Sequence, residues 1–163
     1  MTISAGCKPT GCYSPSAISA GSTWLSPNTG SAFRNCMFNL TTLWHSTFRH
    51  YSMLGSVFVR CLLRPVTLDE VDFTLAGLGG NDLRGVDLSG CRMREANLVE
   101  TNLRRTLLCG ADLTGARTTG TRMEDADLRG ATVDSSVWTT ASLGGRASIS
   151  PKRWRMRRHT DSV

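Results

Sequence analysis

The chain has 163 residues, an ordinary apolar content of 40% and a formal charge of +6; that length suits one domain, and no stretch approaches the roughly 20 apolar residues that a membrane-spanning helix needs. Six cysteines (Cys7, Cys12, Cys36, Cys61, Cys91, Cys109) are irregularly spaced with no C-x-x-C, which argues against a disulfide framework or a zinc motif and for free thiols in a reducing, cytoplasmic setting. The charge is uneven: residues 31 to 145 hold 12 acidic residues and 12 arginines and sum to zero, so the alkaline pI describes the tail.

Residues 1 to 30 are rich in Gly, Ser and Pro and follow no phase, which predicts loop or disorder. Lys8 is the only early positive charge and no apolar stretch follows it, so no secretory leader is expected.

From residue 31 to 145 the chain repeats with a period of five. VDLSG (86–90), ANLVE (96–100), TNLRR (101–105), ADLTG (111–115) and ADLRG (126–130) show the pattern: a small residue, often Asp or Asn, then Leu. With the central residue called i, centres recur without a slip through 23 pentapeptides, and only Thr118 among them is polar. The i−2 positions are mostly small or β-branched, and nine of the 12 glycines in this stretch fall at i+2. A helix would smear a period of five around its surface, and a strand would throw alternate centres to opposite faces. A chain that turns a corner at every pentapeptide keeps all i and i−2 side chains inside. Glycine suits such corners, and small i−2 residues leave room for large centres.

This pattern, A-(D/N)-L-x-x, together with VDFTLAGLGGNDLRG and GADLTGARTTG, resembles the pentapeptide-repeat family, and within it the mycobacterial fluoroquinolone-resistance members, over about 70% of the chain. The resemblance implies an all-β fold, a right-handed quadrilateral parallel β-helix with four pentapeptides per coil. Twenty-three repeats then make just under six coils, a rod roughly 27 Å long at about 4.8 Å per layer. Four faces follow, with these expected core centres: Phe33, Met53, Phe73, Met93, Leu113 and Val133 on the first; Phe38, Phe58, Leu78, Leu98 and Trp138 on the second; Leu43, Leu63, Leu83, Leu103, Met123 and Leu143 on the third; Phe48, Leu68, Leu88, Leu108 and Leu128 on the fourth. Two i−2 residues fit poorly. The Tyr51 ring should cost about 1–3 kcal/mol or push the wall outward, and the Asn81 amide must find backbone partners.

The resemblance also implies a function: a non-enzymatic inhibitor of DNA gyrase that imitates duplex DNA, protects against quinolones and forms homodimers through the C-terminal ends of its rods. It implies no cofactor, no metal, no membrane and no direct DNA binding by the repeat body. The charge distribution offers a matching surface. The fourth face carries Asp69, Glu70, Asp87 and Asp127 against Arg49 and Arg129, and the adjoining first face carries Asp72, Glu95, Asp112 and Asp134 against Arg34, Arg92 and Arg94. Together they sum to −3, and the opposite pair of faces sums to +3. Duplex DNA would present about 16 charges over the same length, so the acidic side is thin. A solvated face with interleaved ion pairs is the plainer alternative, and Asp at i−1 also has a structural use, bonding nearby backbone.

Catalysis finds little support. His45 and His50 fall on corners with no nucleophile beside them, and Asp125 and Asp127 sit on different faces. Met37, Val57 and Val59 project outward from one face and are a candidate partner patch. Residues 146 to 163, with PKRWRMRRH, form a basic non-repeat tail. Such a segment is expected to be disordered or read out of the family's frame; the alternatives are that it binds nucleic acid or an anionic surface or folds over the acidic faces. Both ends depart from the family pattern, which sustains the alternative function of a structural or protein-binding scaffold without gyrase activity.

Overall fold

The computed structural model describes residues 33–143 and the backbone of Thr23–Leu25; the basic tail lies outside the described residues. The chain winds as a right-handed parallel β-helix with four sides per coil. Strands β2 (Met37–Asn39) and β4 (Val57–Val59) pair in parallel on the second face, and β3 (Thr47–Arg49) and β5 (Thr67–Asp69) on the fourth. From there single-residue bridges continue the ladders, each joining residues 20 apart, such as Asp87↔Leu107 and Asp112↔Thr132.

Every centre from Phe38 to Leu128 is buried, Thr118 included; Phe33, Val133, Trp138 and Leu143 are half-buried at the two ends. The corner at i+2 is what turns the chain. From Asn35 to Gly130 each corner residue has a positive φ, whether Gly or, as at Leu40, Arg60, Glu95 and Asp125, not. The single departure is Pro65, which follows a cis peptide.

The i−2 position does more than leave room. At five polar i−2 positions the side chain donates to a carbonyl 23 residues earlier: Ser56 to Phe33 O (2.5 Å), Asn81 to Phe58 O (2.8 Å), Thr101 to Leu78 O (3.0 Å), Thr106 to Leu83 O (3.1 Å) and Thr121 to Leu98 O (2.7 Å). These bonds fasten each coil to the one above. Asn81 meets its whole requirement this way, since its Oδ1 also accepts the Cys61 N–H at 3.1 Å. Tyr51 is accommodated by leaning outward: it is half-buried and stacks on Phe33 with centroids 5.7 Å apart.

Two expectations need correction. Residues 1 to 30 are not loop throughout, because Thr23–Leu25 forms β1 and pairs in parallel with β3, Trp24 opposite Phe48. That register is four residues longer than a regular coil, which hides it from a fixed frame. Trp138 does not occupy a regular centre: the chain leaves the coil in a short helix, α1 (Val137–Thr140), which buries Val137 and leaves Trp138 half-buried against the core. The helix also explains the odd centre. The Thr118 hydroxyl lies 2.7 Å from the Thr140 hydroxyl, and Thr140 O accepts the Gly120 N–H at 3.0 Å.

Candidate functional site

Between Leu43, Met53, Phe58 and their neighbours the interior leaves a void of about 10 Å³, too small to hold more than one water. Among the described residues no group of three or more His, Cys, Asp or Glu could hold a metal ion, and no helix is long and apolar enough to cross a membrane. The charged side chains of the described residues lie on the outer walls of the rod.

The i−1 acids have a local reason to be there. Asp72 accepts the Thr74 N–H, Asp82 the Arg84 N–H, Asp87 the Ser89 N–H, Asp112 the Thr114 N–H and Asp127 the Arg129 N–H, at 2.9–3.2 Å. Asn97 and Asn102 make the same bond to Val99 and Arg104. A carboxylate or an amide oxygen serves this two-residue turn equally.

The geometry then sorts the eight candidate acids. Asp127 is neutralised by Arg129, whose guanidinium reaches both its oxygens at 2.6–2.9 Å and holds its carboxyl down to about 2. Asp69 lies 3.8 Å from Arg49, and Asp112 lies 3.9 Å from Arg94. Glu70 lies 3.2 Å from His50 Nδ1. Asp134 accepts the Gly115 N–H. Asp72, Asp87 and Glu95 have no cation within ion-pair distance among the described residues.

Asp69, Glu70, Asp72 and Asp87 thus gather where the fourth face turns into the first. Their field is felt inside the wall. The buried Cys91 thiol is pushed up to about 11, first by burial and then by Asp87, Asp69 and Glu70. Further along the first face the column alternates Asp72, Arg92, Asp112 in successive coils, so the acidic side is concentrated and not continuous.

The sequence reading missed the ion pairs between coils, although their signal was present. Arg49–Asp69 and Arg104–Glu124 are 20 residues apart, and Arg64–Asp82 and Arg94–Asp112 are 18 apart. The D-L-R pieces at 82–84 and 127–129 predict an Asp paired with the Arg two residues on. The third face carries three such pairs among the described residues: Asp82 holds both Arg64 and Arg84, and Glu124 holds Arg104 and is held down to about 2, chiefly by that hydrogen bond.

Comparison with known proteins agrees with this geometry. The pentapeptide repeats profile matches residues 72–108 and 108–135, with 8 copies. The chain is 74% identical over 65 residues to the pentapeptide repeat protein MfpA of Mycobacterium tuberculosis, a match covering 40% of this chain and 36% of that protein's length. Its fold is similar to a solved structure of trypsin-treated QnrB1, a plasmid-mediated fluoroquinolone resistance protein, with a TM-score of 0.52 and 19% identity over 76% of each chain. Residues 72–135 therefore carry pentapeptide repeats, and the left-handed corners at five-residue spacing run on before that stretch, from Asn35.

Proposed function

We propose that this chain is a non-catalytic protein that binds DNA gyrase through the side of the rod formed by its fourth and first faces. There it takes the place of duplex DNA, inhibits the enzyme and contributes to fluoroquinolone resistance. One observation carries the reading. The i−1 turn accepts Asn as readily as Asp, yet on these two faces each residue that makes it is Asp: Asp72, Asp87, Asp112 and Asp127. The opposite faces use Asn97 and Asn102 beside a single Asp82. Charge on the acidic side exceeds what the fold requires. The kinship with MfpA supports gyrase as the target, by the family resemblance.

The same observation supplies the test. The triple substitution Asp72→Asn, Asp87→Asn, Asp112→Asn keeps every turn acceptor and removes three negative charges. In a gyrase supercoiling assay the parent chain should inhibit, and the triple variant, with an unchanged thermal melt, should inhibit far less. Equal inhibition by both would remove the acidic side from the mechanism. Absence of inhibition by the parent would favour the second reading, a protein-binding scaffold, which the limited span of the match to MfpA sustains.

A further inference from the structure

The second face carries a surface that the gyrase reading does not use. Its first two coils expose Met37 (56%), Val57 (39%) and Val59 (38%), with Leu40 69% exposed at the corner. In the next coil, Gly77, Gly79 and Gly80 leave the wall without outward side chains, and Val57 leans over Gly77. The coil after that presents Asn97 and Val99. Over these four coils the face has two charges, Arg60 and Glu100, both exposed and both at corners. Neither is ion-paired among the described residues. They stand in one column, one coil to either side of Gly80, about 9.6 Å apart along the rod.

We propose that this face docks a second copy of the chain, with the two rods antiparallel about a two-fold axis that lies in the interface at the Gly77–Gly80 coil. Such an interface is isologous, so each contact occurs twice. The operation sets every coil against the one equally far beyond Gly80. Val59 then meets Val99 of the other copy, and Arg60 meets its Glu100. Arg60 and Glu100, the two charges of these four coils, are the two this symmetry pairs. Met37 and Leu40 come to lie over the coil of Arg117 and Gly120. The bare backbone at the axis lets the walls approach closely. A face about 24 Å long and one side wide buries an area at the low end for stable complexes, so the dimer is weak and concentration-dependent. It leaves the fourth face, on the opposite wall, open, and stands independently of what that face binds.

Sedimentation equilibrium of the full chain, from micromolar to millimolar concentration, tests the proposal. The expected result is a monomer–dimer equilibrium. Arg60→Glu alone and Glu100→Arg alone should each weaken it roughly tenfold or more, because each sets like charges together twice. The double variant R60E/E100R should return to within about threefold of the parent. Glu and Arg already occupy left-handed corners elsewhere, at Glu70, Glu95 and Arg105, so the fold tolerates the exchange and a thermal melt verifies it. A monomer at every concentration, an open-ended series of larger species, or a dimer indifferent to the single reversals would overturn the proposal.

Discussion

The coils before Ala76 and the coils after it build the same rod from different materials. The earlier coils have three-residue strands, an aromatic interior of Phe38, Phe48, Phe58 and Phe73, and corners held mostly by residues other than glycine: Asn35, Leu40, His45, His50, Arg60, Glu70 and Leu75. The later coils have single-residue bridges, Leu and Met centres, and glycine at most corners. The family profile matches only from residue 72 onward, yet the 20-residue ladders pass through the junction unbroken. Two slots therefore define the coil: a large apolar side chain facing in, and a left-handed residue at the corner. The consensus residues fill those slots at least strain, and other residues fill them at some cost.

The sharpest way to break the comparison is to empty one inward slot on each side of the junction. Phe58 stacks on Phe38 with centroids 4.6 Å apart and meets Phe73 edge-on at 6.1 Å. Phe58→Ala should cost about 3–5 kcal/mol and Leu98→Ala about 2–5 kcal/mol. Stability in a solenoid is a sum of neighbouring terms. The Phe58 variant should thus lose its early coils first, and hydrogen exchange should find the coils after Ala76 still protected. Uniform loss of protection would show that both regions fold as one unit.

Asn81 fastens the two regions together. Its amide donates to Phe58 O and Leu78 O, and its Oδ1 accepts the Cys61 N–H, all buried. Asn81→Ala strands the Cys61 N–H and the Phe58 carbonyl, and should cost about 2–3 kcal/mol by denaturant titration. Asn81→Asp should not rescue it, because a carboxylate cannot donate to those carbonyls.

The corners predict a smaller, opposite-signed pair. Leu75 sits at φ 60 and Gly80, the next corner, at φ 69. Leu75→Gly should stabilise by about 1 kcal/mol and Gly80→Ala should destabilise by about the same. No heavy atom lies within 4 Å of a Cβ added at Gly80, so that change isolates backbone strain. If both substitutions are neutral, the corners are not where the two regions differ in energy.

Much of this rod was legible because its constraint is periodic. A centre must be large and apolar at every fifth residue, so one pass along Phe33 to Leu143 fixes the frame, and Asp at i−1 announces the turn. Other features are not periodic. β1 needs four extra residues before it meets β3, and a fixed frame discards it. α1 is made of Val, Trp and two Thr, poor helix formers; tertiary bonds to Thr118 and Gly120 hold it there. The acidic side was legible as a sum of charges. Which of those charges an arginine already answers depends on separations of 2, 18 and 20 residues, and these acquire meaning only once the coil is closed.

The smallest effect separates the two regions by pH. In the later coils Glu124 and Asp127 are held down to about 2, by Arg104 and Arg129 respectively, from ordinary values of 4.5 and 3.8. A carboxyl whose folded value is depressed contributes stability that is complete above its unfolded value and is lost as pH falls toward the folded one. The later coils should therefore weaken between about pH 4.5 and 2. Both groups lie near the solvent and are screened, so the effect is modest. Asp127→Asn keeps the turn acceptor for the Arg129 N–H and should flatten part of that acid limb while leaving the early coils unchanged. Exchange rates followed from pH 5 to pH 2 would show it. Equal acid weakening in parent and variant would mean that the Arg129 pair contributes nothing that the turn does not already supply.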